Sequence, residues 1–458
     1  MAPEKAVDVV VVGGGLSGLA AARRILRTPG KTVVVLEASQ RVGGRLLDAH
    51  FGAAGVAELG GEWVAPDQKH VVALIAELGL GTSPTFTAGR TTLNYKGKVT
   101  HFSSSDGLPA LPALDLAEAA WAFAKLTDMA AAVPLAAPQT APLGPYWDSL
   151  TVEDWIATNL STDGAKFLVR VSAGGPLGST ARDTSLLHYL FVAQSCGGPL
   201  QLILVEGGDL ENRVAGGPEQ LVEGLAGIVG ADRIVLNSPV RKIDQTGPRV
   251  LVGTDAATWS AGQVIVAMPP AMTAQIHYEP ALPPARAQLN QRVPMGSTIK
   301  SFAVYETPFW RRNGLNGIVY SDIGPANALF DCSPPPPTEG PGIVLSLITG
   351  DEARFWGAQS LDARRTAVLR TLATHYEDPA ALHPTDYVDQ DWSAQRWIGG
   401  GAGMGLPPGV LTEYGPALTA HVGRIHWAGA ETATEFYGHM DGAISAGERA
   451  ADEALAQS

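Results

Sequence analysis

Only two cysteines occur in the 458 residues, Cys196 and Cys332, far apart and in no CxxC pair. That scarcity argues against a disulfide framework or a thiolate metal site, and two reduced thiols in a cytoplasmic protein are the plain expectation. The ten histidines show no HExxH or comparable spacing, so no metal is expected, and no GxSxG elbow marks a serine nucleophile. No apolar run reaches the roughly 20 residues of a membrane span. The stretch Met1 to Asp8 lacks the charged and apolar regions of a secretory signal. Basic residues are also in the minority. Thirty-two Lys and Arg against 45 Asp and Glu leave a net charge of −13, which disfavours a nucleic-acid partner, whose phosphates must be met by cations. What is abundant is apolar: 45% hydrophobic against 17% charged residues describes a globular chain with a large core, and this length favours two closely packed domains.

The opening residues carry the first positive signal. Val9 to Val12 is a β-branched run of the kind buried on both faces of a sheet. It passes into Gly13-Gly14-Gly15-Leu16-Ser17-Gly18, then an Ala- and Leu-rich helical stretch to about Leu26, then a strand from Thr32 to Leu36 that ends at Glu37. This is a βαβ unit with GxGxxG at its strand-to-helix turn. Gly13 allows the tight turn, Gly15 lets the backbone approach a pyrophosphate, and Gly18 lets helix and strand pack closely. The helix N-terminus offers free N–H groups to phosphates. Glu37, 19 positions after Gly18, is placed to accept the hydroxyls of an adenosine ribose. An acid there disfavours a 2′-phosphate, and hence NADP. Directly beyond lies Arg41-Val42-Gly43-Gly44-Arg45, two glycines between two arginines, suited to a turn wrapping a pyrophosphate with guanidinium partners.

RVGGR behind an acidic strand end resembles the flavin-containing amine oxidase family, and the resemblance continues along essentially the whole chain. Glu58-Leu59-Gly60-Gly61-Glu62-Trp63-Val64 is similar to the family's segment beneath the flavin ring. Ser185-Leu186-Leu187 and Cys196-Gly197-Gly198 resemble a helix of its substrate domain, and Gly207 through Gln220 its return to the flavin domain. Val240 matches the position whose backbone meets adenine, and Val264 to Pro270 is a further family block. Met295 to Lys300 carries the family's flavin-facing lysine; Trp427 to Thr432, with Ala430 and Glu431, and Gly438 to Ala443, with Met440, match its last flavin-binding strand and helix. The resemblance implies an α/β fold: a Rossmann-type, GR2-like FAD-binding domain from residues 1–85, 215–290 and 395–458, with an inserted α+β substrate domain from residues 86–214 and 291–394. Val133 to Pro145 and Pro334 to Pro337 read as surface loops, Ala119 to Ala132 as a helix, and Gly442 to about Leu455 as an amphipathic helix.

The chemistry the resemblance implies is removal of a hydride from the carbon bearing an amine, to N5 of the flavin. The imine then hydrolyses to an aldehyde or ketone, and oxygen regenerates the flavin with formation of hydrogen peroxide. Lys300 is the implied cation near N5, its alternative being a surface lysine at a strand end. Met440 and Asp441 read either as a helix start with a capping acid or as the positive helix end beneath the isoalloxazine. Some positions depart from the monoamine oxidase branch. Where that branch attaches its flavin to a cysteine in SGGC, this chain has Gly401, so the FAD is expected to be non-covalent. The two aromatic rings that cage the amine are replaced by Ala402 and His439. His439 is either a satisfied polar core residue or a pocket wall titrating near neutrality, and a more open cage suits a bulkier or cyclic amine. Trp63, Ile203, Leu210 and Leu347 serve a substrate pocket or a plain core equally well. No arginine pair suggests a substrate carboxylate, Arg182 alone being left open for it.

The reading is therefore an oxidase of a small or cyclic, largely apolar amine, with the amine and O2 as its small-molecule partners. Membrane-bound members continue into an apolar tail, whereas this chain stops at Ser458, so a soluble protein without a membrane partner is expected. Family members are often homodimers, though no interface is legible here. The alternatives are a flavin dehydrogenase or desaturase using another electron acceptor, and a flavin-bound scaffold without turnover. Peroxide formation separates the oxidase from both.

Overall fold

A computed structural model describes residues 5–52, 55–103, 109–335 and 340–457. Met1 to Glu4, Pro336 and Pro337 of the expected proline loop, and Ser458 lie outside the described residues.

The β-branched run forms the centre of an eight-stranded sheet. Strand β1 (Lys5–Val12) is flanked in parallel by β2 (Val33–Leu36), with Val9 opposite Val33 and Val12 opposite Leu36, and by the strand Thr258–Val266. Val9 to Val12 and Val33 to Leu36 are all buried, as expected of strands covered on both faces. Beyond β2 lies Ile234–Val235; on the other side Thr258–Val266 leads to Val250–Thr254, Val240–Asp244 and His277–Glu279. The C-terminal half of Thr258–Val266 also pairs with Ile425–Trp427. The expected strand start at Thr32 moves one residue on, because the Thr32 hydroxyl bonds to the Asp8 carboxylate and its N–H donates to the same group.

Helix α1 (Leu16–Leu26) packs against the last helix of the chain, Met440–Ala456. Contact is close: a Cβ on Gly447 would lie 2.1 Å from the carbonyl oxygen of Ser17. Gly18 is under the same constraint, with a Cβ placed 2.0 Å from the Gly13 carbonyl oxygen. Only glycine fits at either position.

A second sheet of seven strands runs in the order Asp386–Asp391, Thr298–Tyr305, Gly342–Thr349, Ala328–Asp331, Leu315–Ser321, Arg90–Tyr95 and Lys98–Ser103. Every residue of Thr298–Tyr305 is buried, which puts Lys300 inside the protein and not at the surface. Helices Ala113–Ala131, Asp163–Gly174 and Leu186–Ser195 build a separate apolar core with Phe123, Leu126 and Tyr189. A three-stranded ribbon of Trp63–Val64, Asn212–Val214 and Thr82–Pro84 joins segments far apart in sequence. The stretch Val133 to Pro145 is not a plain surface loop. Pro138–Thr140 forms a 3-10 turn and Gly144–Asp148 a short helix, because Val133, Ala141 and Trp147 bury into the helical core. No helix among the described residues is long and apolar enough to cross a membrane.

Candidate active site

A cavity of about 480 Å³ runs from the β1–α1 turn to the second sheet, within the size range of small-molecule and cofactor sites. At its first end stand Gly13, Gly15, Ser17, Glu37, Arg41, Gly44, Arg45 and Val240. Helix α1 begins at Gly15 with no side-chain cap, so its first N–H groups face the cavity with no side chain to bond. A Cβ on Gly15 would meet nothing closer than the Gly44 Cα at 3.8 Å. The two turns thus form a cradle that a side chain would fill, and this fits a pyrophosphate. Glu37 accepts from the N–H of Gly14 at 2.6 Å and of Ser39 at 2.7 Å, which fixes its carboxylate at the end of β2.

The two arginines have partners within the protein. Arg41 gives three of its five N–H donors to the carbonyls of Val42, Leu46 and Gly44, at 2.7–2.9 Å, and so braces its own turn. Arg45 forks onto Glu431 at 2.5 and 3.1 Å and reaches the Ala402 carbonyl at 3.0 Å. Both guanidinium groups thus brace turns within the protein while also lining the cavity. Glu431 is buried beneath Arg45, and Gly18 is packed into the helix–strand contact; both lie outside the cavity lining. Ser17 Oγ accepts from the N–H of Gly429 at 2.9 Å, tying the first glycine turn to the segment that carries Ala430.

Gly60, Gly61, Met440 and Lys300 come together midway along the cavity. Lys300 Nζ donates to the Glu58 carbonyl at 2.6 Å, the Gly60 carbonyl at 3.0 Å and Glu62 Oε2 at 2.5 Å. Arg213, from the ribbon, forks onto Glu58 with contacts at 2.6 Å and lies 3.5 Å from Glu62. Two cations therefore meet two carboxylates in the interior, the arrangement that makes buried charge tolerable. Burial pushes the Glu58 carboxyl up despite Arg213. Burial, then Glu62, raises the Cys332 thiol well above its usual range, and the thiol donates to Glu62 Oε1 at 3.2 Å. Asp441 does not cap its own helix. Its Oδ1 accepts from the N–H groups of His70 and Val71 at 2.6 and 2.9 Å, capping the helix Lys69–Glu77.

At the far end the lining is apolar: Trp63, Ile203, Leu210, Leu347, Tyr320 and Phe330, with Trp63 edge-on to Phe330 at 4.9 Å. Ala402 and His439 complete this wall. Asp209 stands 3.1 Å from His439 Nε2. Neither cysteine is among the residues lining the cavity. Arg182 is not among the lining residues; its side chain is 62% exposed and paired with Asp351. Glu58, Glu62 and Cys332 form one trio of metal-ligand side-chain types, and Cys196, Asp209 and His439 another. The carboxylates of the first already face Lys300 and Arg213, and the second contains the Asp209–His439 pair. Glu62, Asp209 and Arg213 lie within segments that resemble the family, but their pairings had no signal in the sequence, since the partners lie many positions away.

A mostly parallel sheet with a glycine cradle at a helix N-terminus, opening onto an apolar chamber, defines a Rossmann-type dinucleotide-binding oxidoreductase fold. Residues 16–455 match the flavin containing amine oxidoreductases, so the chain belongs to that family of flavin-dependent enzymes acting on amines. AofH of Mycobacterium tuberculosis, named as a flavin-containing monoamine oxidase, is 38% identical over 456 residues, covering 99% of this chain and 98% of the relative. An L-amino acid dehydrogenase of Synechocystis is 36% identical over 461 residues, covering 98% and 95%. Among solved structures, putrescine oxidase bound to putrescine superposes with a TM-score of 0.93 at 31% identity, covering 99% of this chain and 100% of that one. Cyclohexylamine oxidase of Brevibacterium oxydans gives 0.92 at 31%, covering 99% of both chains.

Proposed function

We propose that this protein is an FAD-dependent oxidase of small or cyclic, largely apolar amines, holding its flavin without a covalent bond. The observation that carries the reading is a single cavity joining the Gly15–Gly44 cradle, the buried Lys300–Glu62 pair and an apolar chamber. FAD, when bound, would supply the acceptor for the substrate's hydride and the means of passing those electrons to oxygen as peroxide. The chain contributes position and environment. Gly13, Gly15, Ser17, Glu37, Gly44 and Val240 hold the adenosine diphosphate half, and Gly60, Gly61, Ala430 and Met440 the ring half. Residues 1–85, 215–290 and 395–458 act as the flavin-holding body, and residues 86–214 and 291–394 as the substrate body. Trp63, Ile203, Leu210 and Leu347 exclude water and favour the neutral amine over the ammonium form. Lys300, held in place by Glu62, assists electron transfer to oxygen.

The absence of a cysteine from the cavity lining supports non-covalent FAD. A second reading, transfer of electrons to an acceptor other than oxygen, draws on the relative named as a dehydrogenase. An amino acid substrate is disfavoured by the exposed position of Arg182. An anaerobic titration with primary, secondary and cyclic amines, followed by admission of air, tests both. Bleaching of the flavin with peroxide on re-aeration is expected; bleaching without oxygen consumption would favour the second reading, and no bleaching would refute both.

A further inference from the structure

A third buried carboxylate stands beside the Lys300 network. The strands Asp48–His50 and Val56–Glu58 pair antiparallel, with Asp48 directly opposite Glu58. Opposed residues of such a pair share one face, with Cβ atoms about 5 Å apart. Glu58 and Glu62 are met by Arg213 and Lys300. Asp48 is buried too, but has no cation at ion-pair distance among the described residues. Its Oδ2 accepts from the Glu219 N–H at 2.9 Å, its own N–H donates to Glu219 Oε2 at 2.9 Å, and its Oδ1 is buried without a hydrogen-bond partner. The charged groups around it are Glu58, Glu219 and Lys300, with Arg41 beyond, 3.7 Å from Glu219. Burial, joined by Glu58 and Glu219, pushes the Asp48 carboxyl up to about 7; the Glu219 N–H and Lys300 oppose this only in part.

We propose that Asp48 takes up one proton from water when the flavin is reduced and releases it when oxygen withdraws the electrons. The inference rests on the flavin reading above and concerns the electron cycle, not the choice of amine. A hydride is two electrons and one proton, so its arrival lowers the charge of the cavity by one. That charge comes to rest near Lys300, in an interior where two cations are already matched by Glu58 and Glu62. Added negative charge favours the neutral form of any nearby carboxyl, and most of all of one without a cation of its own. The cycle balances. Reduction converts the Asp48 carboxylate and a proton from water to the carboxylic acid. Oxygen then removes the hydride equivalent as the hydroperoxide anion, Asp48 returns its proton to water, and one proton from water completes hydrogen peroxide. Asp48 does not line the cavity. It acts through Glu58 and Lys300, as a positioning residue for charge.

The test is an anaerobic potentiometric titration of the flavin-loaded enzyme between about pH 6 and pH 9, which brackets the Asp48 carboxyl. The slope of midpoint potential against pH counts the protons bound per two electrons. A ten-fold rise in the proton affinity of Asp48 on reduction predicts, at its maximum, about half a proton beyond what the flavin itself takes. Asp48→Asn keeps an acceptor for the Glu219 N–H but cannot take up a proton, and should remove that excess. An unaltered enzyme without the excess would overturn the proposal, as would an excess that persists in Asp48→Asn. Should the variant not retain flavin, the unaltered enzyme decides by its reduced-minus-oxidised infrared difference spectrum. A carboxylic acid carbonyl band should appear on reduction and move with 13C-aspartate labelling but not with 13C-glutamate; no such band would overturn the proposal. The electrons come from an electrode in both measurements. Failure of the amine reading would therefore show as absence of bleaching by amines and leave these results standing.

Discussion

Lys300 Nζ lies 2.5 Å from Glu62 Oε2, and two backbone carbonyls complete its shell. Both residues are buried, so the pair brings opposite charges together inside the protein.

Lys300→Met removes the nearest cation from Glu62, leaving it only Arg213 at 3.5 Å and the Cys332 thiol. It is expected to cost about 3 kcal/mol of stability, in the range for breaking a buried pair. Adding Glu62→Gln should return part of that loss, so the double variant should be more stable than the sum of the two single changes indicates. Urea unfolding of the flavin-loaded proteins measures the coupling, and simple additivity would mean the pair is not coupled. In stopped-flow, Lys300→Met should slow reoxidation by oxygen at least ten-fold and affect anaerobic reduction far less.

Gly15 and Gly18 are three residues apart yet should fail differently. A Cβ at Gly18 would strike the Gly13 carbonyl oxygen at 2.0 Å, whereas one at Gly15 has no protein atom closer than 3.8 Å. Gly18→Ala is expected to abolish folding. Gly15→Ala should fold, with thermal stability of the flavin-free protein within about 0.5 kcal/mol of the parent's, and bind FAD at least ten-fold more weakly. Equal flavin affinity in Gly15→Ala would contradict the cradle.

Acid precipitation separates covalent from free flavin. The yellow colour should appear wholly in the supernatant and co-migrate with FAD, because Gly401 offers no sulfur and neither cysteine lines the cavity. Colour retained in the pellet would refute this.

His188 gives a pH prediction. It is buried, burial lowers its pKa to about 3, and its Nδ1 accepts from the Leu406 N–H at 3.3 Å. The unfolded chain takes up this proton near pH 6.5, so the neutral ring's contribution is fully present above that pH and is lost as pH falls toward 3. At pH 5 this one group should lower stability by about 2 kcal/mol relative to pH 8. His188→Gln should flatten the acid limb by that amount; an unchanged limb would assign the effect elsewhere.

The parts of this fold legible in the sequence are those whose cause is local. The buried run Val9 to Val12, the glycines of the first turn and Glu37 all act within one βαβ unit, so spacing alone located them. The arginines of the second turn were legible as residue types but not as partners. Nothing in RVGGR distinguishes a guanidinium meeting a phosphate from one bracing Gly44 and Leu46 or reaching Glu431. Glu62 pairs with Lys300 across 238 positions, and Asp209 meets His439 across a comparable separation. Those contacts exist only once both sheets and the ribbon have formed, and no periodicity reports them.

Ser17 and Gly447, met above as a tight packing contact, join the first glycine turn to the last helix. Ala430, His439 and Met440, from the same closing stretch, stand in the cavity wall. The cavity wall is thus assembled from segments more than 400 positions apart. A cofactor can be enclosed there only after both segments have been brought together.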